Sequence, residues 1–214
     1  MMQENCNSEI MKPLEKPVHG YKDYVTFKKI CGDNGKRYLL LIKILGGGSE
    51  SVVVIMKNPS KATENISDYT VNNVIKYIYE KKNTEACLKN VGTIIILNLI
   101  PIYKTDSSKL ETCNSGIWDE KNMELINELI SKHNNVFFGW GSPPKGLATN
   151  YRLLINEVIK SIDYGKTAYV VGGLTKKCFP RHGQVWNVND KLLALQDAIN
   201  EKCKQKSRKT LING

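Results

Sequence analysis

Apolar positions along the chain fall into short runs with abrupt polar ends. The sharpest is Ser51-Val-Val-Val-Ile-Met-Lys-Asn-Pro-Ser60, where the apolar stretch Val52 to Met56 gives way to Lys57-Asn58-Pro59-Ser60. A β-branched run this short, bounded by turn residues, predicts a strand buried on both faces. Pro59 lacks the N–H that a ladder needs and biases Asn58 toward extended backbone, so the strand ends there. The plan recurs three times: Thr93 to Leu97, stopped by Asn98-Leu-Ile-Pro101; Asn135 to Trp140, followed by Gly141; and Thr167 to Val171, leading into Gly172-Gly173.

Between these runs the period changes to that of a helix. Val71, Val74, Ile75 and Ile78 share one helical face, with Asp68 or Ser67 placed to cap it. Leu125, Ile126, Leu129 and Ile130 mark a second helix, and Tyr151, Leu154, Ile155, Val158 and Ile162 a third, closed by Gly165 at a C-cap position. Leu192, Leu195 and Ile199 place a last helix on one face. Upstream, Arg37 to Leu45 reads as a strand and Tyr24 to Lys29 as an edge strand. Gly46-Gly47-Gly48 reads as a hairpin turn back into Val52, since a phosphate-cradling glycine loop needs a helix directly after it.

Alternating strands and helices with short apolar strands predict an α/β fold. The expected form is a three-layer α/β/α domain with a mainly four-stranded parallel sheet and N-terminal antiparallel edge strands. Residues 1–20 are expected to form a loosely ordered arm, 21–204 a single domain and 205–214 a basic tail. In such sheets ligands bind outside the carboxyl ends of the strands. Asn58, Asn98, Trp140-Gly141 and the loop from Lys176 to His182 all follow strands directly, so they are expected to converge on one crevice. The long polar segment from Tyr103 to Trp118 has no periodicity, as a binding loop would.

Composition narrows the chemistry. No apolar run approaches the roughly 20 residues of a membrane span, and the polar start of the chain lacks the core of a signal peptide, so a cytoplasmic protein is expected. The six cysteines form no CxxC pair and the three histidines do not cluster, so neither a metal nor another cofactor is signalled. The formal charge of +10 favours polyanionic partners, although five of the basic residues crowd into Lys202, Lys204, Lys206, Arg208 and Lys209.

Within the expected crevice, Asn58 and Asn98 each offer a donor and an acceptor, suited to reading a base edge, holding a water or satisfying loop backbone. Pro59 and Ser60 continue the first of these loops. Trp140 can stack on a planar ligand or fill the core, and Gly141 permits close approach. His182, with Lys176, Lys177 and Arg181 nearby, can donate to a developing negative charge or contact phosphate. Asp68, Asp106 and Glu64 can orient a water, Asp68 being equally placed as a helix cap. No serine, cysteine or lysine stands beside an evident base, so nucleophilic catalysis has no support.

Several of these pieces together resemble an uncharacterised family of bacteria and phages, the domain of unknown function numbered sixteen forty-three. They are Arg37-Tyr38-Leu39, Asn58-Pro59-Ser60 with Ala62-Thr63, Asp68 with Thr70, Asn98-Leu99 with Thr105-Asp106 and Leu110, Trp140-Gly141, Leu174-Thr175-Lys176 and Pro180-Arg181-His182. Tyr69 and Gly183 stand where that family usually has proline. More distantly the layout is similar to the uracil-DNA glycosylase superfamily. That likeness implies that Asn58 positions water, Asn98 reads the base and His182 stabilises the leaving base, with no clear aspartate at the first strand end. Two functions follow as expectations: a hydrolase of N-glycosidic bonds in DNA or nucleotides, or a non-catalytic protein of phage or defence context that captures nucleotide or nucleic acid. The expected partner is nucleotide or nucleic acid, DNA in preference to RNA, with no membrane.

Overall fold

The computed structural model describes residues 19–103, 117–163 and 165–212, with side chains as far as residue 205. Its elements run β1 (Val25–Asp33), β2 (Lys36–Ile44), β3 (Glu50–Met56), α1 (Tyr69–Lys81), β4 (Val91–Asn98), α2 (Glu120–Ser131) and β5 (Asn135–Phe138). They continue with α3 (Ala148–Lys160), β6 (Thr167–Val171), β7 (Leu192–Ala194) and α4 (Leu195–Ile212). The seven strands make one sheet in the order β1-β2-β4-β3-β5-β6-β7. β4, β3, β5 and β6 are parallel, β1 and β2 form an antiparallel edge against β4, and β7 runs antiparallel to β6.

The central strand shows why an unbroken apolar run is needed. Val53 and Ile55 of β3 join a cluster containing Met123, Ile126 and Ile130 of α2 and Tyr151, Leu154 and Val158 of α3. Val52, Val54 and Met56 join a second cluster with Val71, Val74, Ile75 and Ile78 of α1. Successive strand residues point to opposite faces, so burial of both faces requires apolar side chains at every position. Each such side chain contributes roughly 1.5–3 kcal/mol by leaving water.

Three local expectations are corrected. Gly46–Gly48 does not turn a hairpin, because β4 inserts between β2 and β3, pairing antiparallel with the first and parallel with the second. A buried strand pairs where both faces can be covered, and a glycine run does not specify adjacency. Leu192 belongs to β7 rather than to the last helix: Val170 pairs with Leu193 and Val171 with Leu192, so sheet-edge pairing overrides the helical spacing. α3 ends at Lys160 with Ser161 as its C-cap, and Gly165 lies beyond it, before β6. Asp68, not Ser67, caps α1.

The connections locate the crevice. From β3 the chain passes through α1 to β4 on one side of β3, and from β4 through α2 to β5 on the other side. The crossovers therefore diverge between β3 and β5. An open parallel sheet forms its ligand crevice at such a switch point, outside the carboxyl ends of the strands.

Candidate functional site at the strand ends

Lys57 and Asn58 follow β3, and Gly139, Trp140 and Gly141 follow β5, so the switch point is lined by these two segments. His182 is brought to them by the loop after β6. The Gly183 N–H donates to the Gly139 carbonyl at 3.1 Å, which pins this loop to the end of β5. A Cβ on Gly183 would lie 2.5 Å from Met56 Cε and 2.8 Å from Val74 Cγ2. Proline at this position would lose the bond to Gly139 and press on both side chains, which gives a physical reason for glycine in this chain. Asn73 Nδ2 donates to the Gln184 carbonyl at 2.6 Å, and Trp186 is buried edge-on against Tyr77 with its Nε1 donating to the Arg181 carbonyl.

The imidazole of His182 is oriented by its own turn. It occupies the N-cap position of a single 3₁₀ turn, Gly183–Val185, and its Nδ1 accepts the Gln184 N–H at 3.2 Å. An Nδ1 that accepts leaves the proton of the neutral ring on Nε2. Burial, then the Lys57 ammonium, push the ring's pKa down to about 4, against a weaker opposing pull from Asp68. At neutral pH His182 is thus an uncharged Nε2–H donor.

That shift fixes a pH dependence. The unfolded chain protonates this histidine near pH 6.5 and the folded chain only near pH 4, so native stability falls as the pH drops across that window. The loss is at most about 3 kcal/mol, and less once the partial solvent contact of the ring is allowed for. Urea unfolding at pH 7 and pH 4.5 should show a smaller drop for His182→Gln than for the wild type. Parallel drops would contradict the assignment.

Asp68 is fully engaged. Its Oδ1 accepts the Val71 N–H of α1 at 3.0 Å, and its Oδ2 accepts the Ala62 N–H at 3.0 Å and the Ser60 hydroxyl. One carboxylate therefore caps the helix and folds the 58–68 loop back on it. Asn58 Nδ2 donates to the Pro59 carbonyl at 3.1 Å, and Pro59 is buried. Glu64 accepts the Ile30 N–H at 2.7 Å and ties the same loop to β1.

The remaining expected residues disperse. Asn98 ends β4 wholly buried, its amide nitrogen 3.5 Å from the Arg37 carbonyl. Trp140 is 1% exposed and stacks on Phe138 at 4.2 Å within the apolar cluster; it also lines a cavity of about 260 Å³ together with Leu174, Phe179 and Pro180. Arg181 is committed to Asp190 at 2.9 Å and to the Val185 carbonyl. Lys176 is exposed, and Asp106 lies outside the described residues. Gly141 is at the crevice: with φ +68°, a Cβ there would stand 2.9 Å from His182 Cβ.

Two cations were not singled out from the sequence as site residues. Arg37 opens β2, which runs antiparallel to β4, so it shares the edge where the parallel strands end. Its side chain is 1% exposed, Nη1 donates to the Ala62 carbonyl at 3.1 Å, and the Tyr103 ring lies 5.8 Å from the guanidinium carbon. Burial lowers its pKa, while Tyr103, Asp68 and Tyr21 raise it. Tyr21, burial chiefly responsible, is pushed up to about 12. Lys57 is half-buried and lowered by desolvation. Its position, directly before Asn58, was the available signal; that of Arg37 appears only once the antiparallel pairing of β2 is known. Among the described residues no cluster of His, Cys, Asp or Glu could hold a metal ion, and no helix is long and apolar enough to cross a membrane.

Fold and site together define an open α/β protein with polar residues gathered at the β3/β5 switch point, a neutral histidine donor among them. The chain belongs to the family described as Protein of unknown function (DUF1643), whose pattern matches residues 37–183. No curated protein and no solved structure matches the chain.

Proposed function

We propose that the crevice recognises a nucleobase or nucleotide, and that the protein acts as a hydrolase of N-glycosidic bonds in DNA or nucleotides. The observation that carries this reading is His182, an Nε2–H donor that stays neutral at physiological pH beside the switch point. In such a hydrolysis water adds to the sugar carbon, the carbon–nitrogen bond breaks, and its electron pair leaves on the base. A fixed neutral donor stabilises that developing charge without first having to lose or gain a proton. Asn58, beside Lys57 at the end of β3, is the residue assigned to positioning water. The formal charge of +10 agrees with a phosphate-bearing partner. The likeness of layout to the uracil-DNA glycosylase superfamily enters at the level of fold alone. The same reading takes the domain as three layers, supported by the separate clusters that α1 and the α2–α3 pair form with the sheet.

A second reading, capture without chemistry, is favoured by Asp68. Both of its oxygens are held by the helix cap and the loop, so it is not available as a base to activate water. Thermal unfolding against nucleobases, nucleosides, nucleotides and short single-stranded DNA tests both, because a ligand bound only by the native state raises the melting temperature. His182→Ala should remain folded and lose the shift. Chromatography of the bound ligand then separates the two: release of free base supports the hydrolase, and an unchanged ligand supports capture. A panel without any shift would overturn both.

A further inference from the structure

We propose that Lys57 and Arg37 form an anion subsite at the floor of the crevice, and that the ligand is therefore a phosphate ester, a nucleotide unit rather than a free base or nucleoside. This deepens the nucleotide reading above and rests on it for the base, but not for the anion.

Charge balance carries the inference. Arg37 is 1% exposed, and among the described residues it makes no ion pair and its Nε has no hydrogen-bond partner. A guanidinium remains protonated in proteins, so this is a buried positive charge. Removing such a charge from water is unfavourable unless an anion compensates it. Asp68 is the one described carboxylate acting on both Arg37 and His182, and three donors already hold it. Lys57 adds a second cation: it directly follows β3, its carbonyl accepts the Ile100 N–H just past the end of β4 at 2.9 Å, and its half-buried side chain is in no ion pair among the described residues. Two cations thus share the strand ends with a single occupied carboxylate.

The neutrality of His182 fits the same arrangement. An imidazolium beside Lys57 would add a third positive charge, whereas the neutral ring donates one hydrogen bond and leaves the two cations to the phosphate. Arg37 holds the 58–68 loop through the Ala62 carbonyl. An anion drawn to its Nε would therefore also fix the loop that carries Asn58 and Ser60. Guanidinium and ammonium groups make charge-assisted bonds to phosphate that neutral sugars cannot replace.

Isothermal titration of the full chain with inorganic pyrophosphate, nucleosides, nucleoside monophosphates and a short single-stranded oligonucleotide tests the subsite. Monophosphates should bind at least about tenfold more tightly than the matching nucleosides. Lys57→Gln should remove most of that difference. Arg37→Met should do the same; because Arg37 also supports the loop, Lys57→Gln keeps the test decisive if the arginine variant fails to fold. A stronger signal from the oligonucleotide than from monophosphates would place the ester in a polymer, and the reverse would place it in a free nucleotide. Nucleosides binding as tightly as monophosphates would overturn the subsite and leave the base reading standing. Pyrophosphate binding that Lys57→Gln abolishes, without any nucleoside binding, would sustain the subsite and overturn the base reading.

Discussion

Asp68→Ala is expected to lower the stability of the folded protein by about 3 kcal/mol and to abolish ligand binding in the crevice. Loss of a helix N-cap costs about 0.5–2 kcal/mol. The Ala62 N–H and Ser60 hydroxyl would lose their acceptor at the same time, and a donor stranded away from water adds about 1–3 kcal/mol. The site suffers because the loop that Asp68 closes is the one that follows Asn58. Asp68→Asn keeps one side-chain oxygen as acceptor, so its loss should be intermediate. Chemical denaturation of the three proteins checks the order. An alanine variant as stable as the wild type would show that the carboxylate does not hold the loop.

Gly141→Ala is expected to cost about 2–3 kcal/mol and to remove activity or ligand affinity more severely than that loss of stability explains. The backbone φ of +68° is unfavourable for any residue with a Cβ by about 1–2 kcal/mol. The added methyl would also stand 2.9 Å from His182 Cβ, so the histidine must shift. Gly165→Ala supplies the control. Its φ of +94° brings backbone strain, but nothing lies within 4 Å of the added Cβ. Both variants should unfold earlier, and only Gly141→Ala should lose ligand affinity. Equal affinity in the two would mean that Gly141 does not set the position of His182.

The contrast between these glycines illustrates what was legible in the sequence. The four apolar runs with polar stops identified β3, β4, β5 and β6, because burial on both faces leaves a local signature that needs no long-range knowledge. Strand order is not local, and so Gly46–Gly48 suggested a hairpin that the insertion of β4 rules out. Leu192 shows the same limit at a single residue: its spacing suits a helix, and only the exposed edge of β6 makes it a strand. At the site, the strand-end rule pointed to Gly141 and His182, which the structure sets side by side. It also collected Trp140, whose ring lies in the core, and Arg181, whose charge Asp190 meets, because following a strand does not determine where a side chain points. Arg37 escaped the rule altogether, since it lies at the start of its own strand and shares an edge with the parallel strand ends only because β2 runs the other way.

The central claim is that His182 is a neutral Nε2–H donor whose surroundings bind a nucleotide. The most direct measurement is a long-range proton–nitrogen NMR spectrum of the imidazole rings between pH 4 and 8, with His182→Gln to assign the signal among the three histidines. The account predicts that the His182 ring shows the Nε2–H tautomer, does not titrate above about pH 5, and shifts when a nucleotide that raises the melting temperature is added. A ring that carries its proton on Nδ1, titrates near pH 6.5, or ignores such a ligand would contradict it.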